Sequence, residues 1–129
     1  MDTQTNDTLT AFFAAHGGGD YIDVGANIGL TTIPVAQNPN VECLALEPEP
    51  SNFSYLTVNV AANCPHLNVT IKRLAAFSER RTLPFEIAVN NLGDHRIRLK
   101  DHPGQWNEQL RQTIEVEAVP LDDVAPTRP

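Results

Sequence analysis

Apolar residues fall into short runs over the first part of the chain and alternate with polar residues over the last part. Leu9, Phe12, Phe13 and His16 recur at helical spacing, with Asp7 placed to cap their helix and Gly17, Gly18 and Gly19 to end it. Tyr21 to Val24 reads as a short strand, followed by a glycine turn and a helix from around Ile28 to Gln37. Pro34 lacks an N–H and clashes with a preceding turn, so that helix must start late or kink. Asn38 and Pro39 close it. The run VECLAL, Val41 to Leu46, is a mostly apolar strand that leads into EPEP. Ser51 is placed to cap a helix to about Asn63, with Phe53, Leu56 and Val60 on one face. Asn68 to Leu74 is a third strand. The short linkers of this strand–helix–strand–helix–strand series predict parallel crossovers in one sheet.

After residue 78 the period changes to two. In TLPFEIAV, the residues Leu83, Phe85, Ile87 and Val89 alternate with others, as in a half-buried strand. Pro84 predicts that this strand lies at an edge. NNLGD reads as a turn, and HRIRLK alternates through Ile97 and Leu99. Beyond a polar loop with Trp106, TIEVEAV alternates through Ile114, Val116 and Ala118. The prediction is a β-meander over 79–124, added to a βαβαβ half over 20–78, after an N-terminal helix and linker over 1–19. Beyond Pro120, LDDVAPTRP is predicted to form no element. The whole, 1–129, is read as a single α/β domain.

Composition narrows the function classes. The chain has 129 residues, a net charge of −7 and a pI near 4.9. An acidic surface repels phosphate backbones, so nucleic acid is not an expected partner. The basic run Arg96, Arg98 and Lys100 reads as one solvated strand face. No apolar run approaches the ~18–20 residues that cross a bilayer. The N-terminus lacks a basic start and a cleavage site, so the cytoplasm is the expected location and a membrane is not an expected partner. Cys43 and Cys64 form no CxxC pair, and Cys43 reads as a free buried thiol. The triplets at Asn52 and Asn68 match the glycosylation sequon without a secretory context.

The stretch DYIDVGANIGLTT carries the candidate chemistry. Asp23 ends the first parallel strand, and ligands of open parallel sheets bind at such carboxyl ends. Gly25 allows a ligand to approach the backbone, Gly29 allows the helix to pack close to the sheet, and Asn27 tolerates left-handed backbone. The spacing D-x-G-x-N-x-G lacks the glycine triplet of dinucleotide fingerprints. An acid there faces a pyrophosphate poorly and suits a cationic group, such as the amino or sulfonium end of S-adenosylmethionine. Glu47 ends the second strand, where a carboxylate can accept both hydroxyls of an adenosine ribose. Two acids at adjacent strand ends favour an adenosine cofactor without phosphates. The ordinary alternative is a glycine turn that binds nothing.

In that order, DVGANIGLTT, LEPEPSNFSYLTVNV, LAAFSE and VEAVPLDDV are similar to segments of the FkbM-type methyltransferases, over about residues 20 to 124. The resemblance implies a Rossmann-like class I methyltransferase fold, S-adenosyl-L-methionine as cofactor, and O-methylation of sugars, polyketides or similar small molecules. It implies that Asp23, Gly25, Asn27 and Gly29 line the methionine end of the cofactor and that Glu47 is the ribose acid. Ala76 and Phe77 fall in the adenine-contacting segment, though without the acid or amide common there. Asn52 and Asn59 match the helix pattern and read as structural. In the family LDD precedes a further core strand, so the chain is expected to be an incomplete, N-terminal portion of the domain. An uncovered first strand would then promote homo-oligomers through a sheet edge.

A hydroxyl acceptor needs a base to take its proton. Asp94, His95, Asp101 and His102 are candidates, but polar hairpin loops ordinarily hold such residues in solvent, and no catalytic residue is assigned. The two Asp-His pairs lie at opposite ends of a strand, so a shared metal is not expected. Trp106 offers a substrate platform, with hairpin packing the ordinary alternative. Three functions follow from these readings: a methyltransferase, a non-catalytic cofactor-binding or interaction module, and a dinucleotide-dependent oxidoreductase.

Overall fold

Three parallel strands form the sheet that positions the candidate site. In the computed structural model, which describes residues 3–88, 96–97 and 111–126, these are β1 (Gly19–Val24), β2 (Val41–Leu46) and β3 (Val69–Lys72). They are ordered β1-β2-β3, with Asp23 opposite Ala45 and Leu46 opposite Lys72. The helices between them are α2 (Thr32–Ala36) and α3 (Pro50–Asn63), and α1 (Thr3–Ala15) precedes β1. All three helices pack on one face of the sheet. Leu9 and Phe13 of α1, Val35 and Ala36 of α2, and Val60 and Cys64 at the end of α3 meet Tyr21, Val41, Cys43 and Val69. Leu56 of α3 adds a second cluster with Ala26 and Ala45. The protein is thus α/β, with the βαβαβ half of a Rossmann-like arrangement at residues 19–72.

Strand β2 matches the predicted bounds because a continuous apolar run paired on both edges has no competing structure. The helices differ from prediction, each for a local reason. Helix α1 begins at Thr3, so Asp7 lies inside it and caps nothing. The added turn is held by Asn6, whose Nδ2 donates to Leu30 O at 3.0 Å. Phe12 turns outward against the His16 ring, with centroids 4.3 Å apart. Helix α2 starts late: Pro34 falls in its first turn, where a missing N–H removes no intrahelical bond. The cap of α3 is Glu49 rather than Ser51. Its carboxylate accepts from Ser51 N (3.0 Å) and Asn52 N (2.6 Å), and Pro50 takes the first helical position.

The second sheet contains β4 (Ala75–Ala76), β5 (Arg81–Ala88), β6 (Arg96–Ile97) and β7 (Arg111–Val119) in the order β4-β7-β5-β6. It is mixed: β4 runs parallel to β7, and β5 is antiparallel to both β6 and β7. This replaces the predicted meander order. The ladder from Arg81–Ala118 to Ala88–Arg111 seats β7 directly beside β5 and leaves β6 on the far side. Strand β5 is therefore interior, not an edge. Pro84 is accommodated because the described β5–β6 pairing starts only at Phe85. Leu83, Phe85, Ile87, Ile114, Val116 and Ala118 form the apolar face, as their alternation predicts. A 3-10 turn at Leu121–Asp123 follows, tied by an Arg80–Asp123 ion pair of 3.5 Å, where no element was predicted.

Candidate functional site

The carboxyl ends of β1 and β2 come together through the glycine turn. Gly25 N and Ala26 N both donate to Leu46 O, at 2.9 and 3.0 Å, and Gly29 N donates to Ala26 O at 3.0 Å. Asn27 N donates to Glu47 Oε1 at 2.8 Å. These amides are thus engaged inside the protein. A phosphate cradle needs loop amides aimed outward at an anion, and helix α2 is too short to supply a useful dipole. The geometry argues against a pyrophosphate at this turn.

Asn27 has φ of 54°, the left-handed conformation its side chain tolerates best after glycine. Helix α3 holds the turn from behind. Asn59 Nδ2 donates to Ile28 O at 2.8 Å, and Asn52 Nδ2 reaches Asn27 Oδ1 at 3.5 Å. Both asparagines are structural, as their positions in the sequence suggested. Gly25 has φ of 74°, and a Cβ there would meet nothing within 4 Å, so the space before the turn is open. Gly29 differs. At φ of 101° its Cβ would lie 3.0 Å from Ile33 Cδ1 and 3.1 Å from Leu56 Cδ1, as expected of a close-packing glycine.

Two acids stand at this turn, Glu47 buried and Asp23 half-buried. Glu47 is only 2 % exposed, and besides Asn27 N it accepts from Glu49 N through Oε2 at 3.0 Å. Burial pushes its carboxyl above the ordinary range. The two amide hydrogen bonds oppose that shift, while the charges of Glu49 and Asp23 add to it. Burial likewise raises Asp23, against a 2.6 Å hydrogen bond donated by Thr32 Oγ1 to Asp23 Oδ2. The charges of Glu49 and Asp23 acting on Glu47 mark one locus of negative charge. A cationic group would be favoured there.

Thr32 and Glu49 are site residues that the sequence reading missed. Thr32 is fully buried and orients Asp23; Glu49 caps α3 and orients Glu47. The repeated acid of EPEP was the available signal for Glu49. Ala76 and Phe77 lie in and just past β4. Ala76 pairs with Val119, Phe77 N donates to Val119 O at 2.9 Å, and the Phe77 ring packs on the β5–β7 core. Among the described residues no hydrogen bond links them to the acidic locus. Asp94, His95, Asp101, His102 and Trp106 lie outside the described residues. Among the described residues no three metal-ligating side chains converge, and no helix is long and apolar enough to cross a membrane.

Cys43 and Cys64 are both free and buried in the helix-side core. Burial first, then the neighbouring Cys64 thiol, pushes Cys43 up to about 12. It is an inert packing residue, not a nucleophile.

No family model and no curated protein matches this sequence. Among solved structures, the chain is similar to the crystal structure of precorrin-6y C5,15-methyltransferase from Geobacter metallireducens GS-15. The identity is 21% and the TM-score 0.47, over 58% of this chain and 38% of that one. The matched part thus spans well under half of that protein's length.

Proposed function

We propose that this chain binds S-adenosyl-L-methionine and forms the cofactor-binding part of a methyltransferase acting on a hydroxyl of a small molecule. The observation that carries this reading is the acidic locus at the ends of β1 and β2, with Glu47 buried and Asp23 half-buried, beside a turn whose amides are already engaged. The donor set suits a cationic, phosphate-free nucleoside and suits a dinucleotide poorly.

When bound, the cofactor supplies a methyl group carried on a positively charged sulfur. Asp23, oriented by Thr32, opposes the positive charge of the methionine end. A carboxylate offers about four lone-pair sites. Asn27 N and Glu49 N take two of these on Glu47, which is 2 % exposed, and the assignment of the other two to ribose hydroxyls rests on the sequence resemblance. Gly25 leaves the backbone open to close approach, while Asn27 and Gly29 hold the shape of the turn. Ala76 and Phe77 are assigned to the adenine side on the sequence resemblance alone. Alignment and removal of water are the main contributions asked of this part of an enzyme. We further propose that the edge of β1, which no strand covers among the described residues, pairs with a second copy of the chain.

Titration calorimetry with S-adenosylmethionine, S-adenosylhomocysteine and NAD tests the cofactor reading. Both adenosyl ligands are expected to bind, with Asp23→Asn weakening S-adenosylmethionine by about tenfold or more, the usual value of a hydrogen bond to a charged group. Binding of NAD without S-adenosylhomocysteine would overturn it.

A further inference from the structure

A cavity of about 390 Å³ borders the EPEP turn that carries Glu47. One wall is the turn itself, through Pro48 and Pro50. The other is the polar face of the β5–β7 ladder, where Thr82 sits opposite Glu117 and Pro84 opposite Glu115. Arg73, just past β3, closes one side. The volume lies within the ~300–1,000 Å³ typical of small-molecule sites.

The chemistry of the lining is specific. Alternation along β7 brings Glu115 and Glu117 to one face, two residues apart, with the Thr82 hydroxyl across the ladder. Among the described residues, none of Arg73, Thr82, Glu115 and Glu117 makes a side-chain hydrogen bond or an ion pair, although all four line the same space. Polar groups that converge on a cavity without satisfying one another are available to a ligand. One guanidinium against two carboxylates leaves a net negative lining. The rings of Pro48 and Pro50 add apolar surface for a ring to rest on.

We infer that this cavity binds a small polyhydroxylated ring carrying an ammonium group, of the amino-sugar class. The ammonium pairs with Glu115 and Glu117, and the ring hydroxyls bond to Thr82 and Arg73. That this ligand is also the methyl acceptor rests on the proposed methyl-transfer function; the pocket itself does not. Its position supports the link, because Pro48 and Glu47 are consecutive, so one turn borders both sites.

Ligand-detected NMR on the full chain tests this with glucosamine, N-acetylglucosamine and glucuronate, each with and without S-adenosylhomocysteine. Glucosamine is expected to bind, N-acetylglucosamine more weakly, and glucuronate not at all. Glu115→Gln and Glu117→Gln, both exposed and not expected to alter folding, should each weaken glucosamine about fivefold, the upper end for an exposed ion pair. Calorimetry on the same variants should give unchanged affinity for S-adenosylhomocysteine. Absence of glucosamine binding, or binding indifferent to both glutamates, would overturn the proposal while leaving the cofactor reading standing. Weaker S-adenosylhomocysteine binding in the glutamate variants would also overturn it, by giving the cavity to the cofactor. Glutamate-dependent glucosamine binding without S-adenosylhomocysteine binding would keep the pocket and remove the methyl-transfer reading.

Discussion

Asp23 and Glu47 are costly residues to keep charged where they stand. Burial raises both carboxyls above their ordinary range, so the folded state binds protons more tightly than the unfolded chain. Stability from these two groups is full below the unfolded pKa and is lost as pH rises through the folded one. Asp23→Asn removes one such contribution while leaving an oxygen to accept from Thr32. Chemical denaturation between about pH 4 and pH 7 should therefore show the variant gaining on the wild type as pH rises, with S-adenosylmethionine binding weakened. A stability difference independent of pH would refute the assignment. Glu47→Gln behaves differently, because one of its two amide partners would face an NH₂ group. Leaving that N–H unsatisfied costs about 1–3 kcal/mol. The Asp23 and Glu47 positions were legible in the sequence, since each acid stands at the carboxyl end of a strand-like run. Their partners Thr32 and Glu49 were not, because which hydroxyl or cap a carboxylate meets depends on the turn's three-dimensional path.

At the level of elements, the glycine turn divides its two glycines between separate tasks. Gly29 is hemmed in by Ile33 and Leu56, whereas Gly25 faces open space. Gly29→Ala combines positive φ with overpacking and is expected to cost about 2–4 kcal/mol of stability. Gly25→Ala keeps only the backbone strain, about 1–2 kcal/mol, and should act mainly on ligand affinity. Urea denaturation beside calorimetry separates the two, and equal losses of stability would contradict the division. Local signals served well where one principle dominated. The apolar run of β2 gave its bounds, and of the late start or kink that Pro34 predicts for α2 the structure has the late start. They failed where distant chain decides. The order β4-β7-β5-β6 depends on a ladder between residues some thirty positions apart, and alternation reports faces without reporting neighbours.

Taken whole, the molecule presents a parallel sheet with all three helices on one face and, among the described residues, no strand beyond β1. An open edge is a template for another chain. The charges on β1 qualify that tendency: an antiparallel β1–β1 pairing would set Asp20 near Asp23 of the other copy, and the chain carries a net charge of −7. Sedimentation at micromolar concentration should therefore show self-association that strengthens with added salt, as screening relieves the repulsion. A monodisperse monomer at every ionic strength would exclude the edge as an interface.

The paired amides on Glu47 have one more consequence. A free glutamate side chain loses about 1.5–2 kcal/mol of rotational freedom when it is fixed. Here Asn27 N and Glu49 N fix it during folding. A ligand that uses this carboxylate thus meets a rigid, preorganised acceptor and need not order it on arrival. Selection at this end of the sheet is by shape and charge against a template already set, and a ligand whose hydroxyls do not match finds little slack in the template to exploit.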